Sequence, residues 1–232
     1  MRIVIFTDSL GRPRPDLDRF EKTNYEDVYG YQLKKYYEGI HDVELIYIES
    51  LDTEDAKFWG ERMVAFREPD LVVFQMGIND CAPRIFQKNT FLQCILNNQF
   101  FKKYTKNIIP RIASKFRLFI TKNFQKVYVK PNEFELNYKH IMNTIKKYNQ
   151  NCQFLCLSIF ESDLLDNKSY GFNKNVIKYN YLLKKIFEDK YIDINSLLTK
   201  PCLISDGVHM AKKAHDEVFH LLKQKVEQVC AE

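Results

Sequence analysis

A chain of 232 residues, 45% hydrophobic and 28% charged, has the composition of a folded globular protein and the length for one sizeable core. Seven glycines and seven prolines are too few for long flexible linkers, and six cysteines, none paired as CxxC, argue against a zinc or disulfide framework and for buried free thiols. No stretch approaches the ~18 uninterrupted apolar residues of a spanning helix, and the first apolar run stops at Asp8, too early for a secretory leader, so a cytoplasmic and at most membrane-peripheral protein is expected.

In chain order, Ile3, Val4, Ile5 and Phe6 form an unbroken apolar run that suits a strand buried on both faces of a parallel sheet. It stops at Thr7-Asp8-Ser9-Leu10-Gly11 and gives way to a polar, proline-bearing loop. Tyr25, Tyr29, Leu33 and Tyr36 recur at helical spacing and predict a helix over 25–37. Residues 43–48 read as a second strand. The helix expected over 53–66 would bury Trp59, Met63 and Phe66. Residues 71–76 read as a third buried strand, ending in Gly77-Ile78-Asn79-Asp80.

The C-terminal third resumes this alternation. Phe134, Tyr138, Ile141, Ile145 and Tyr148 mark a helix, 154–159 a fourth strand, and Val176, Asn180, Leu183 and Phe187 the next helix. A short fifth strand at 190–194 precedes a last helix with Val218, Leu222, Val226 and Val229 inward. Such alternation implies one α/β domain over 1–232, a central parallel sheet of about five strands covered on both faces. His41, His140, His215 and His220 are taken as surface residues.

Between Cys81 and Asn132 the pattern breaks. This segment has no Asp or Glu but eleven Lys and Arg, from Arg84 to Lys130, interleaved with aromatic and aliphatic residues such as Phe91, Tyr104, Phe116 and Phe119. One or two helices, interrupted near Pro110, are expected as an insertion over about 82–130. It is either a solvated cap or a basic lid over 84–130 for an anionic glycan, an acyl carrier or an acidic membrane surface. No nucleic-acid-binding module is present, and no nucleic-acid partner is expected.

Ser9, Asn79 and the Asp206–His209 pair each follow a predicted strand. A parallel sheet gathers such positions on its carboxyl edge, where ligands bind. A serine there becomes a strong nucleophile only with a base beside it. Taken together, TDSL, GIND and DGVH followed by MAKKAH closely resemble the motifs of the SGNH hydrolases, the GDSL esterase/lipase family. No GxSxG elbow of an ordinary α/β-hydrolase is present.

The resemblance implies a three-layer flavodoxin-like fold and a set of roles. Ser9 is the nucleophile, His209 its general base, and Asp206 the residue that holds the imidazole. The Asn79 amide and the Ser9 N–H donate to the oxyanion. The family's usual third donor is a glycine after the second strand; here the loop reads Glu49-Ser50-Leu51-Asp52-Thr53, and Leu51 takes that place. Thr7 also stands where glycine is commonest. Asp8 is read as a structural hydrogen-bonding residue. No metal or cofactor is implied, since P-loop, GxGxxG and HExxH motifs are all missing.

The expected activity is serine-dependent hydrolysis of an ester through an acyl-enzyme, with an acetyl group on a carbohydrate or a related small-molecule ester as substrate. Two alternatives stand beside it. One is an O-acyltransferase of surface-glycan assembly using the same serine, and the other a non-catalytic binding or scaffold protein on the same frame.

Overall fold

The computed structural model describes residues 1–15, 22–86, 88, 115–196 and 202–231. Strands β1 (Arg2–Thr7), β2 (Asp42–Tyr47), β3 (Leu71–Gln75), β4 (Gln153–Leu157) and β5 (Tyr191–Ile192) form one sheet in the order β2-β1-β3-β4-β5. Every pairing is parallel, with Ile5 opposite Leu45 on one side and Val73 on the other. Ile3 to Phe6 and Leu71 to Phe74 are fully buried, as expected of central strands covered on both faces. The order is the flavodoxin-like one, with its switch point between β1 and β3.

Helices α1 (Tyr29–Tyr36), α2 (Thr53–Trp59), α3 (Ile78–Cys81), α4 (Arg117–Phe124), α5 (Pro131–Tyr148), α6 (Asp163–Lys168), α7 (Phe172–Phe187) and α8 (Lys212–Ala231) surround the sheet. α1 packs on α8, while α5 packs between α2 and α7, which gives three layers. α8 turns Val218, Leu222, Val226 and Val229 inward at the expected spacing. The helix expected over 25–37 divides at Val28, whose extended backbone (φ −77°, ψ 139°) separates a 3-10 turn at Tyr25–Asp27 from α1.

The α2 region differs from expectation. Trp59 is 39% exposed and Phe66 58%, and the buried face carries Ala56, Gly60, Val64 and Ala65. Small residues win this face because α2 lies close against α5. A Cβ on Gly60 would stand 3.2 Å from Ile141 Cγ2. The chain then runs on through a π-helical turn at Gly60–Val64 and a 3-10 turn at Ala65–Arg67.

Much of the expected basic insertion lies outside the described residues. Its described C-terminal part contains α4, and this helix is reversed in polarity. Thr121 is buried, and Leu118, Phe119 and Phe124 face outward, Phe119 being 66% exposed. The inward side needs polar groups. Thr121 Oγ1 accepts the Tyr170 N–H, and Arg117 reaches the Ser169 hydroxyl and the Pro83 carbonyl.

β3 delivers the chain to the site through Gly77, whose φ of 133° is open to glycine and strained for other residues. A Cβ there would also stand 2.6 Å from Ile159 Cδ1. Gly77→Ala is therefore expected to lower the unfolding free energy by about 1–3 kcal/mol, measured by urea melts; an unchanged midpoint would contradict this account of the turn.

Candidate active site

The end of β1 is turned out of the sheet by Asp8. Its backbone N–H bonds the Gln75 carbonyl at 3.1 Å, and its Oδ1 accepts the Leu10 N–H at 2.9 Å. This starts a 3-10 turn at Ser9–Gly11. Ser9 is its first residue, a position whose N–H has no partner within the turn. Asp8, expected only to be a structural hydrogen-bonding residue, is the N-cap of this turn.

The acid and base come from one tight turn after β5. An isolated antiparallel bridge between Leu203 and Met210 closes it, with the Ile204 N–H on the His209 carbonyl at 3.0 Å. Asp206 Oδ1 accepts the Val208 and His209 N–H groups at 2.7 and 3.0 Å, an Asx turn that aims its other oxygen along the ring. Asp206 Oδ2 then lies 2.6 Å from His209 Nδ1, and His209 Nε2 lies 3.2 Å from Ser9 Oγ. The structure brings Ser9, His209 and Asp206 into one relay across 200 residues of sequence.

Burial pushes the Asp206 carboxyl up, but bonds from the His209 ring and from the His209 and Val208 N–H groups outweigh it and hold the pKa at about 2. Asp206 is therefore ionised at neutral pH. It can orient the ring with Nδ1 protonated, leaving Nε2 as the acceptor for the serine proton. Arg14, which sequence reading passed over, stands beside this pair. Its Nη1 is 2.9 Å from His209 Nδ1 and 3.6 Å from Asp206 Oδ2. A guanidinium only donates, so its approach to Nδ1 suits the opposite tautomer, and the closer Asp206 favours the productive one. Backbone bonds between Arg14 and Thr23 hold the arginine there.

Asn79 sits in the first turn of α3 across the β1/β3 switch point from Ser9. Its Nδ2 donates to the Leu51 carbonyl at 3.1 Å. Leu51 is buried beside Asn79, but the group it turns toward the amide is its carbonyl. Its N–H reaches back to the Ile48 carbonyl at 3.4 Å, following a left-handed Ser50 (φ 58°). The donor expected of Leu51 is thus engaged in a turn. Gly60 lies in the helical segment, away from this loop.

His215 corrects another expectation. It is 1% exposed, with its ring stacked on Tyr29 at 5.8 Å, and burial pushes its pKa down to about 4. It lies on the inner stripe of α8 with Ala214 and Val218, a periodicity that could have revealed it.

Beneath the site lie two fully buried carboxyls. Burial raises Asp8 to about 8, against the Leu10 hydrogen bond and helped by the charge of Asp80. Burial likewise raises Asp80 to about 7, against its bonds from Thr53 at 2.5 and 2.9 Å. Between the unfolded value of 3.8 and about 8 the folded chain keeps protons that the unfolded chain releases, so both groups withdraw stability as pH rises through that window. Asp8→Asn keeps the Oδ1 acceptor and removes the charge. Its melting temperature should match wild type near pH 4 and exceed it increasingly toward pH 8; a constant difference across that range would contradict the assignment.

Among the described residues no His/Cys/Asp/Glu cluster could hold a metal ion, and no helix is long and apolar enough to cross a membrane. Three solved structures illustrate the similarity of fold. A lipase/acylhydrolase from Enterococcus faecalis superposes with TM-score 0.65 at 13% identity, covering 98% of this chain and 95% of that one. The esterase EstA from Pseudoalteromonas sp. gives 0.62 at 12% identity, with 100% and 99% covered. A catalytic mutant of an acetylxylan esterase from Geobacillus stearothermophilus gives 0.59 at 15%, with 97% and 93% covered. No curated protein matches the sequence. The family described as GDSL-like Lipase/Acylhydrolase matches residues 22–222. The chain belongs to that family, the SGNH hydrolases, and its chemistry is that of a serine ester hydrolase.

Proposed function

We propose that the chain removes a small acyl group, most simply acetyl, from an acylated carbohydrate through an acyl-enzyme on Ser9. The observation that carries the chemistry is the relay in which His209 faces Ser9 Oγ at 3.2 Å and Asp206 at 2.6 Å. The carbohydrate takes its support from the acetylxylan esterase among the structural neighbours.

In this reading Ser9 Oγ attacks the ester carbonyl while His209 Nε2 takes its proton. The carbonyl oxygen becomes an oxyanion facing the Ser9 N–H and the Asn79 amide. Collapse breaks the bond to the sugar oxygen, which leaves with the proton from His209. Water then attacks the acyl carbon while giving a proton to the same nitrogen; the bond from that carbon to Ser9 Oγ breaks, Oγ takes the proton back from His209, and the acid is released. Asp206 orients the imidazole and stabilises its cation throughout. Ser9, His209 and Asp206 are the catalytic residues, and no metal or cofactor takes part.

The test is hydrolysis of p-nitrophenyl acetate and of acetylated xylo-oligosaccharide, with and without a free sugar acceptor. Ser9→Ala and His209→Ala should each lower kcat by about 10⁴-fold or more while leaving the melting curve in place. Nitrophenol release that rises with the sugar, with acyl-sugar found by mass, would replace hydrolysis by transfer. Asn79→Ala should lower kcat by about 10²–10³-fold, and a wild-type rate would remove it from the oxyanion site.

A further inference from the structure

We infer that Arg84 is a positioning residue, which fixes the orientation of the Asn79 amide so that its N–H face meets the oxyanion. This inference rests on the ester-hydrolase reading above.

An asparagine amide has one end that accepts and one that donates, and the two have nearly the same shape. Only the Nδ2 end can stabilise an oxyanion; a flipped amide would turn its oxygen toward the negative charge. Something must therefore read the difference. Arg84 Nη2 lies 3.2 Å from Asn79 Oδ1 and 3.1 Å from the Asn79 carbonyl oxygen. A guanidinium carries donors alone, so a flipped amide would set N–H against N–H. On the other side, the Leu51 carbonyl accepts from Nδ2 at 3.1 Å and can only accept. The two neighbours require the same orientation. One Nδ2 hydrogen is taken by Leu51, and the second remains for the substrate. The Arg84 charge on Oδ1 also polarises the amide, which strengthens that remaining donor as negative charge develops.

Arg84 is itself held from several sides. Its backbone N–H bonds the Lys126 carbonyl at 2.8 Å in an isolated antiparallel bridge. Its guanidinium carbon lies 4.2 Å over the Tyr128 ring. Among the described residues its buried Nε has no hydrogen-bond partner, which disfavours this placement energetically and makes a purely structural role a poor account of it. Among the described residues no carboxylate forms an ion pair with Arg84, and its near neighbour in charge is the like-charged Arg117. Nearby, Lys88 pairs with Asp52 at 2.6 Å and Asp55 at 2.5 Å, tying the same segment to the start of α2. The two described ends of the basic insertion thus meet at the asparagine. The first cation of that insertion faces the oxyanion donor.

The experiment is a double-mutant cycle on p-nitrophenyl acetate with Arg84→Gln, Asn79→Ala and the double variant, beside Arg84→Lys. Arg84→Gln is expected to lower kcat by about 10–100-fold with KM within twofold, since the lost contact matters most where charge develops. In the Asn79→Ala background the same change should cost no further activity, because the group that Arg84 orients is already gone. Arg84→Lys should recover part of the loss by donating to one of the two oxygens. Equal losses in both backgrounds, or a wild-type kcat for Arg84→Gln, would overturn the inference. If Arg84→Gln does not fold, Tyr128→Leu, which removes the ring beneath the guanidinium together with its hydroxyl, should give a smaller kcat loss that also vanishes with Asn79→Ala; an additive loss would again overturn it. Wild-type turnover that survives Ser9→Ala would instead refute the ester-hydrolase reading, so the two failures are distinct.

Discussion

The hydrogen bond from the Leu10 N–H to the buried Asp8 carboxyl is the contact on which the site is built. It ends β1 and begins a helical turn in the space of one residue, so that Ser9 stands clear of a strand that is otherwise fully buried. The arrangement has an energetic consequence. Among the described residues Asp8 keeps one oxygen without a hydrogen-bond partner, and Asp80 under the Asn79 turn does the same. The carboxyls are kept because each accepts a backbone N–H that would otherwise be buried unpaired, Asp8 that of Leu10 in the turn after β1 and Asp80 that of Thr53 at the start of α2.

The site is then assembled from parts of very different independence. Asp206 and His209 occupy a turn that organises itself, with the carboxyl accepting two N–H groups of its own loop before it meets the ring. Ser9 and Asn79 depend on the sheet. They sit on opposite sides of the switch point between β1 and β3, where the connections leave in opposite directions and a crevice opens. The surrounding arginines connect the two parts to the rest of the chain. Arg14 reaches the acid and base from the loop after Ser9, and Arg84 reaches the asparagine from the root of the insertion. The loop after β2 consequently departs from the family's pattern. Where a glycine N–H is usual, Leu51 presents its carbonyl to Asn79, and the asparagine is held between an acceptor and a donor.

Elements carried by a strong period were legible in the sequence. β1, β3 and α8 follow their apolar patterns closely, because a strand buried on both faces and a helix packed along one stripe leave little choice of register. The α2 segment was misjudged for a definite reason. Large apolar residues mark a buried face only when the neighbour is distant enough to admit them, and α5 approaches so closely that Ala56, Gly60 and Val64 fill the contact. α4 was opaque for the opposite reason: its inward side serves polar groups of a neighbouring loop, so Thr121 is buried and Phe119 is not.

By itself the sequence determined the strand and helix alternation and the parallel sheet, and it marked Ser9, Asn79, Asp206 and His209 as candidates at the strand ends. Short motifs at strand ends carry that information locally, since a parallel sheet places all such ends on one edge. Only the tertiary structure decided which way each polar group faces. The Leu51 N–H turns to Ile48, burial holds the His215 pKa low inside the core, Arg14 arrives beside Asp206 and His209 from the far end of the chain, and Arg84 turns back onto Asn79 five residues before it. The physical reason is the same in each case. A motif specifies residue type and spacing, whereas the direction of a hydrogen bond depends on partners brought in by other elements.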